Sequence, residues 1–169
     1  MFIIRKDKKR KPGIRKHNYE VSVKWNGNTG HGTRDYMSYS RESIISTKGK
    51  PDIIGSSDIA FLGNSSQWNP EEMLVASLSV CHELWFLALA SINEMMVVSY
   101  TDKATGLMIE REDGAGAFQN VTLRPNVKII DEKQLPVAHE LHHMAHEKCF
   151  IANSVNFDVL YEPKIEIAS

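Results

Sequence analysis

The sequence predicts an α+β fold in which a mostly antiparallel sheet packs against a long buried helix. Two observations support this class: short segments in which apolar and polar residues alternate, as strands do, and two longer segments with helix boundaries. The predicted order is strand, strand, long loop, helix, strand, strand, helix and strand. With 169 residues, 42% of them hydrophobic and 24% charged, the chain can form one compact domain without disulfides or a structural metal.

The charges divide the chain into a basic N-terminal arm, residues 1–17, and a single domain, residues 18–169. The arm carries eight Lys or Arg residues against one Asp, so the net charge of -1 conceals an acidic body. That body would repel a polyanion, and no aromatic residue is interleaved among the arm's charges. We therefore expect a solvated tail, with no nucleic-acid and no membrane partner. The absence of a secretory or membrane-spanning pattern, together with only two cysteines, predicts a cytoplasmic protein.

The first half of the domain begins with two predicted strands. Tyr19–Trp25 alternates apolar and polar residues, as a half-buried strand does, and Asn26–Gly30 supplies a turn. Tyr36–Ile45 is predicted to return antiparallel to the first strand. Residues 49–69 then form a long polar loop, and a loop of this length inside a compact domain is more often functional than idle.

The clearest helix start is Asn69-Pro70-Glu71-Glu72, in which Asn is the N-cap, Pro the first helical residue and the second Glu closes a capping box. The helix is predicted to run from Pro70 to about Ile92. Its apolar residues cover nearly the whole circumference, so we expect it to be central and buried. The remaining predicted elements are strands at Val97–Glu110 and Phe118–Ile130, a helix at Lys133–Cys149 and a last strand at Val155–Ile167.

The two cysteines, Cys81 and Cys149, are either small buried hydrophobes or a redox pair. Cys81 lies about three turns into the first helix, too deep for the helix N-terminus to stabilise a thiolate, so a cation from elsewhere would be needed. Cys149 lies at the negative end of the second helix, which disfavours a thiolate. If the pair is a redox couple, Cys81 beside an arginine attacks and Cys149 resolves. Arg34 and Arg41 are the arginines between the arm and the loop.

The second helix contains His139-Glu140-Leu141-His142-His143, which matches the H-E-x-x-H pattern of zinc hydrolases. His146 adds a histidine on the same face as His139, but the third ligand of extended zinc-protease motifs is absent. A short pattern in a His-rich stretch arises easily by chance, so an amphipathic helix with polar histidines is favoured. Phosphate-loop, dinucleotide-binding, hydrolase-elbow and C-x-x-C signatures are absent, and no cofactor is predicted.

Several motifs occur together in this sequence. The Gly49–Gly63 loop precedes the N-P-E-E helix start, and Cys81-His82 follows that start about a dozen residues later. The distant segment Cys149–Ser154 reads C-F-I-A-N-S. This combination resembles the OsmC/Ohr family, and most closely its OsmC-like branch, over about Tyr19 to Val159.

The resemblance implies a thiol-dependent peroxidase that reduces organic hydroperoxides, and sometimes hydrogen peroxide, in oxidative or osmotic stress defence. It also implies an intertwined homodimer in which antiparallel sheets wrap around long central helices. On the resemblance, Cys81 is oxidised to a sulfenic acid and Cys149 converts it to a disulfide. An external dithiol then reduces the disulfide, and no bound cofactor takes part. Arg41 matches the pattern best as the residue that stabilises the thiolate, with Arg34 second.

Other roles stay open at the level of the sequence. The hydroperoxide-resistance branch carries a Pro-Lys-Glu-Leu-Gly-Gly loop whose Glu orients the arginine, and the matching stretch here offers Asp52 and Asp58. His82 and Glu83 are further candidates for supporting residues. The first alternative function is a non-catalytic relative that binds a small hydrophobic ligand. The second is a zinc hydrolase that uses His139, Glu140 and His143.

Overall fold

The computed structural model describes residues 13–168, in two compact units: an N-terminal unit up to Leu74 and a C-terminal unit from Val75. Residues 1–12 of the predicted basic arm lie outside the described residues. Residues 13–17 are exposed and belong to no helix or strand. The division into an arm and a single domain over 18–169 stays a prediction.

The N-terminal unit contains a three-stranded antiparallel sheet in the order β1-β2-β3. The predicted first strand is present but shorter, since β1 covers only the last four residues of Tyr19–Trp25, and these residues are exposed rather than half-buried. Its Ser22 pairs with Ser46 of β2, and its Trp25 pairs with Ser43. The strands are β1 (Ser22–Trp25), β2 (Ser43–Ser46) and β3 (Ile53–Gly55).

The prediction of one strand over Tyr36–Ile45 is wrong for its first half. The backbone carbonyls of Tyr36, Tyr39 and Ser40 accept bonds from side chains: two from Arg41, and one from the indole Nε1 of Trp25 at 2.8 Å. These carbonyls are therefore occupied by side-chain donors, which alternation of residue types does not reveal. Both Arg34 and Arg41 lie in the connection before β2 rather than on a strand.

The predicted structureless loop at 49–69 is in fact ordered by local bonds. It contains β3 and a short 3₁₀ turn, Ile59–Phe61. The Asp58 carboxylate caps this turn by accepting from the backbone N–H of Ala60 at 2.8 Å, and the Asp58 carbonyl accepts from Gly63 N–H at 2.9 Å. Short polar residues that bond to nearby backbone groups replace regular secondary structure here.

Helix α1 spans Pro70–Ile92, as predicted, and begins with the predicted capping box. The Asn69 side chain accepts from the Glu72 N–H at 2.7 Å, and the Glu72 carboxylate accepts from the Asn69 N–H at 3.4 Å. The prediction that α1 is buried on all sides is wrong. One side of α1 is buried, whereas Val80 is 49% and Leu84 61% exposed. By length and composition alone α1 could cross a membrane, a test that the core helix of a folded domain also passes.

The C-terminal unit contains two three-stranded sheets, β4-β7-β9 and β5-β6-β8. Each long predicted strand is divided in two; the break before β7 falls at Arg124, whose N–H donates to the Asp102 carboxylate at 2.6 Å. The pairs β4–β7 and β5–β6 are antiparallel, whereas β6–β8 and β7–β9 are parallel. The strands are β4 (Val97–Asp102), β5 (Thr105–Glu110), β6 (Gly116–Leu123), β7 (Pro125–Ile129), β8 (Asp158–Tyr161) and β9 (Lys164–Ile167).

Helix α2 spans Leu135–Lys148, two residues shorter at the N-terminus than predicted because Glu132–Gln134 form a 3₁₀ turn. A short 3₁₀ turn, Ala152–Ser154, follows α2. The larger of two buried apolar clusters among the described residues lies between α1, α2 and the strands β4 and β7, and it fixes the C-terminal part of α1 against α2. The fully buried members of this cluster are Phe86, Val127, Ile129, Ala138, Leu141 and Ala145.

Candidate functional site

Cys81 lies in the middle of α1, half-buried, and its sulfur borders a small apolar cavity. The cavity has a volume of about 250 Å³ and is lined by Cys81, Leu84, Trp85, Ala88 and Phe150. The rings of Trp85 and Phe150 pack edge to face, with centroids 5.7 Å apart. Residues at 81, 84, 85 and 88 share one face of the helix, so α1 supplies the thiol and most of the apolar wall together.

Cys149 follows α2 directly and is 1% exposed. Its thiol donates a hydrogen bond to the Cys81 sulfur, so the fold brings the two predicted cysteines into contact. Burial, and after it the hydrogen bond to Cys81, raise the pKa of Cys149 to about 12. The direction agrees with the expected disfavoured thiolate, although burial rather than the helix end is the main cause.

Backbone amides after α2 surround the Cys149 sulfur. The N–H of Ala152 donates to it at 3.3 Å, and the N–H of Ile151 also contributes. These donors favour the thiolate, but burial outweighs them and the group stays protonated near neutral pH. Cys81 is thus the accessible sulfur of the pair, and Cys149 is the buried donor that faces it.

His82, adjacent to Cys81 in sequence, lies on a different side of α1. Its Nε2 is 3.0 Å from Nδ1 of His142 on α2, and the two buried rings are nearly parallel, with centroids 5.3 Å apart. Burial lowers the pKa of His82 to about 4 and that of His142 to about 3, so both rings are neutral at pH 7. Phe86 stacks on His142, with ring centroids 4.0 Å apart. This pair connects the two helices.

Glu83 lies near the phenol of Tyr100 on β4 rather than among the residues that line the cavity. Burial is the main cause of the raised pKa of Tyr100, and the charges of Asp102 and Glu83 add to it. The three candidates on α1 therefore have different surroundings. Cys81 borders the cavity, His82 contacts α2, and the charge of Glu83 raises the pKa of Tyr100.

Arg41, the predicted partner of the thiolate, is held within the N-terminal unit. Its Nη1 donates to the carbonyl of Tyr39 and its Nη2 to that of Tyr36, both at 2.6 Å. The guanidinium also lies 4.3 Å and 4.2 Å from the centroids of these two tyrosine rings. By contrast, Arg34 is exposed beside Asp35, and Asp58 serves as the cap of its own 3₁₀ turn. Asp52 is exposed in the connection to β3.

The residues of the H-E-x-x-H pattern do not gather into a cluster. His139, Glu140 and His143 are all exposed. His143 is 3.1 Å from the hydroxyl of Tyr161 through Nδ1 and 3.5 Å from the Glu147 carboxylate through Nε2. Within residues 13–168, no three His, Cys, Asp or Glu side chains are grouped so that they could hold a metal ion.

A family model described as OsmC-like protein matches residues 63–162, which include both cysteines. The chain belongs to the OsmC-like protein family. It is similar to an OsmC-like protein of unknown function from Vibrio cholerae, with 33% sequence identity, coverage of 88% of this chain and 99% of that chain, and a TM-score of 0.80. The predicted α+β class and the resemblance to the OsmC/Ohr family are confirmed.

More distant members share the fold of this OsmC-like protein. One is an organic hydroperoxide resistance protein from Elizabethkingia anophelis, 16% identical, with 91% of this chain and 100% of that chain covered and a TM-score of 0.63. Another is an organic hydroperoxide resistance protein from Legionella pneumophila, also 16% identical, with 89% and 99% covered and a TM-score of 0.60. No curated protein matches the sequence significantly.

Sequence reasoning missed three features of the site. The aromatic wall of Trp85 and Phe150, the partner of His82 and the hydrogen bonds of Asn153 to the end of α2 were not foreseen. Phe150 and Asn153 belong to the C-F-I-A-N-S motif, so the motif itself was a signal for them. His142 could have been found from its spacing on the buried side of α2, together with Val137, Ala138, Leu141 and Ala145.

Proposed function

We propose that this OsmC-like protein is a thiol-dependent peroxidase that reduces organic hydroperoxides at Cys81. The observation that carries the proposal is the contact between two thiols of different accessibility. Cys81 borders an apolar cavity, whereas Cys149 is 1% exposed and donates its S–H to Cys81. In such a pair, the accessible thiol is suited to attack the substrate, and the buried thiol is suited to form the disulfide afterwards.

In the first step, the Cys81 thiolate attacks the terminal oxygen of the hydroperoxide. The O–O bond breaks, the released alkoxide takes a proton to become the alcohol, and Cys81 becomes a sulfenic acid. The S–H of Cys149 points at the sulfur that carries the negative charge, so it stabilises the attacking form in the same way as any hydrogen bond to an anion. The raised pKa of Cys149 keeps this proton in place before oxidation.

In the second step, the Cys149 sulfur attacks the Cys81 sulfur. The S–S bond forms, the hydroxyl group leaves, and the proton of Cys149 completes a molecule of water. The N–H groups of Ala152 and Ile151 favour negative charge on Cys149 as it attacks. An external dithiol then reduces the disulfide by two exchange steps, and no bound cofactor is required.

The lining of the cavity supports an organic rather than an inorganic peroxide as the preferred substrate. Leu84, Trp85, Ala88 and Phe150 offer apolar surface to the group that carries the hydroperoxide. Burial of such surface contributes about 25 cal/mol per Å², a gain that hydrogen peroxide does not obtain. We expect kcat/KM to be higher for cumene hydroperoxide than for hydrogen peroxide.

The proposal includes a homodimer around α1. In a single chain, Val80, Leu84 and Phe150 are 49%, 61% and 67% exposed, and these side chains lie on or beside the helix that carries Cys81. Large exposed apolar side chains close together are typical of an interface. The cation that favours the thiolate remains a prediction from the sequence, with Arg41 first and Arg34 second.

The experiment measures peroxide consumption with dithiothreitol as reductant, and the mass of the protein after one equivalent of cumene hydroperoxide. We expect turnover, and a mass loss of two hydrogens as the disulfide forms. Cys81→Ser should abolish both, and turnover at the wild-type rate in that variant would refute the proposal. Arg41→Lys should reduce the rate of Cys81 oxidation more than Arg34→Lys does.

The apolar cavity also favours a second candidate, a non-catalytic protein that binds a small hydrophobic molecule. Its volume of about 250 Å³ lies just below the usual range for small-molecule sites. This candidate predicts that hydroperoxide leaves the mass unchanged while a fluorescent apolar probe binds with a stoichiometry that Trp85→Ala reduces.

A further inference from the structure

We propose that Asn153 is a positioning residue for the resolving step: its side-chain amide fixes the backbone of Cys149 so that the buried sulfur stays directed at Cys81. The inference rests on the peroxidase function proposed above. It assigns a role to a residue of the C-F-I-A-N-S motif that carries no reactive group itself.

The first observation is the set of bonds at the end of α2. The last carbonyls of a helix have no partner within the helix, and a side chain can satisfy them. Asn153 Nδ2 donates to the backbone carbonyls of Glu147 and Cys149, both at 2.9 Å. Its backbone N–H also donates to the Cys149 carbonyl at 3.0 Å. One residue therefore ties Cys149 to the last turn of α2 and to the following 3₁₀ turn.

The second observation is that the same turn holds the sulfur. The N–H of Ala152, next to Asn153, donates to Sγ of Cys149 at 3.3 Å. Cys149 is thus held at its carbonyl by Asn153 and at its sulfur by Ala152, while its S–H points to Cys81. Loss of the Asn153 side chain would remove one donor from the carbonyls of both Glu147 and Cys149, leave only the Asn153 backbone N–H on the Cys149 carbonyl, and loosen the turn from which Ala152 donates.

The chemistry of the resolving step makes this position important. The Cys149 sulfur must approach the Cys81 sulfur in line with the departing hydroxyl, and small misplacements of reacting atoms slow such steps strongly. Asn153 itself is exposed, so its side chain contributes little to the apolar core. A role that was only structural would change the free energy of unfolding without slowing disulfide closure relative to sulfenic acid formation.

The test follows both species after one equivalent of cumene hydroperoxide is mixed with the reduced protein. Sulfenic acid on Cys81 is trapped with dimedone, the disulfide is measured by mass after alkylation, and both are sampled by rapid quench. In Asn153→Ala we expect sulfenic acid to form at the wild-type rate, within about two-fold. Disulfide closure should slow by about 5- to 30-fold, as expected for the loss of one or two hydrogen bonds.

Two further variants show whether the loss of the Asn153 side-chain N–H is what slows disulfide closure. Asn153→Asp keeps the shape of the side chain but has no N–H to donate, and it should slow closure like Asn153→Ala. Ser154→Ala is the matched control, because Ser154 Oγ donates to the Phe150 carbonyl at 2.7 Å and not to Cys149. Closure at the wild-type rate in Asn153→Ala, slow closure in Asn153→Asp alone, or equally slow closure in Ser154→Ala would each overturn the inference.

A failure of the proposed peroxidase function would give a different result from a failure of the inference about Asn153. If the wild-type protein forms no sulfenic acid with the hydroperoxide, the peroxidase proposal fails, and disulfide closure is then measured with diamide, which oxidises neighbouring thiols directly. Slower closure of Asn153→Ala than of wild type with diamide would still support the positioning role. Equal rates, or no disulfide in either protein, would refute it.

Discussion

Acid should destabilise this protein through the buried pair His82 and His142. Burial lowers their pKa values to about 4 and about 3, whereas an unfolded histidine titrates near 6.5. Between pH 6.5 and 4 the unfolded chain therefore binds protons at both rings and the folded chain does not. The free energy of unfolding falls as pH falls through this window, and above pH 6.5 the pair contributes no pH dependence.

The magnitude follows from linkage. Each histidine that is protonated only in the unfolded state lowers the free energy of unfolding by about 1.4 kcal/mol per pH unit. From pH 6.5, where each unfolded ring is half protonated, to pH 5 the two rings together remove about 3 kcal/mol, a large part of the about 5–15 kcal/mol of a typical domain. The dependence on His82 levels off near pH 4, where its folded form begins to bind a proton.

The assay is urea unfolding at pH 7, 6 and 5, followed by circular dichroism. The matched variant replaces both rings, His82→Leu with His142→Leu, because removal of only one would leave its buried partner without a hydrogen bond. We expect the double variant to lose much less stability between pH 7 and pH 5 than wild type. An unchanged pH dependence in the double variant would refute the reasoning.

Three other perturbations have expected outcomes. Iodoacetamide at pH 8 should modify Cys81 well before Cys149, because Cys149 is 1% exposed and its pKa is about 12; peptide mapping that found Cys149 modified first would contradict the site geometry. Phe86→Ala should lower the free energy of unfolding by about 3–5 kcal/mol in urea, since the ring is fully buried and stacks on His142. Gly63→Ala should lower it by at least about 1 kcal/mol, because an added Cβ would lie 1.6 Å from the Ser57 carbonyl oxygen; a melting temperature equal to wild type would show that the loop yields without cost.

Sequence patterns correctly predicted the structure where it depends on hydrogen bonds between residues close together in the chain. The start of α1 follows from the Asn69 cap, Pro70 and the capping box, all within four residues, and the structure has both hydrogen bonds of the capping box. The division of the long predicted strands could not be predicted from nearby residues in this way. Their break at Arg124 depends on Asp102, which is distant in sequence and accepts the N–H that a continuous strand would use for pairing.

The same distinction applies to the site. Motifs identified Cys81 and Cys149, but the unequal exposure of their sulfurs and the direction of the S–H bond come from packing between α1 and the segment after α2. The predicted strand around Arg41 failed because the guanidinium bonds to the carbonyls of Tyr36 and Tyr39, a side-chain competition that periodicity cannot reveal. The cavity wall required the position of Phe150, far from Trp85 in sequence.

The adjacent residues Cys81 and His82 suggest a catalytic pair, but helix geometry separates their roles. Successive residues of an α-helix point about 100° apart, so the two side chains leave α1 in different directions. Cys81 reaches the cavity, whereas His82 is fully buried against His142, where a low pKa keeps it uncharged. A neutral ring bonded to another neutral ring is poorly suited to supply the positive charge that a thiolate needs. The value of the pair lies instead in joining α1 to α2, the helix whose end carries Cys149. His82 therefore connects the two helices that bring the sulfurs of Cys81 and Cys149 together.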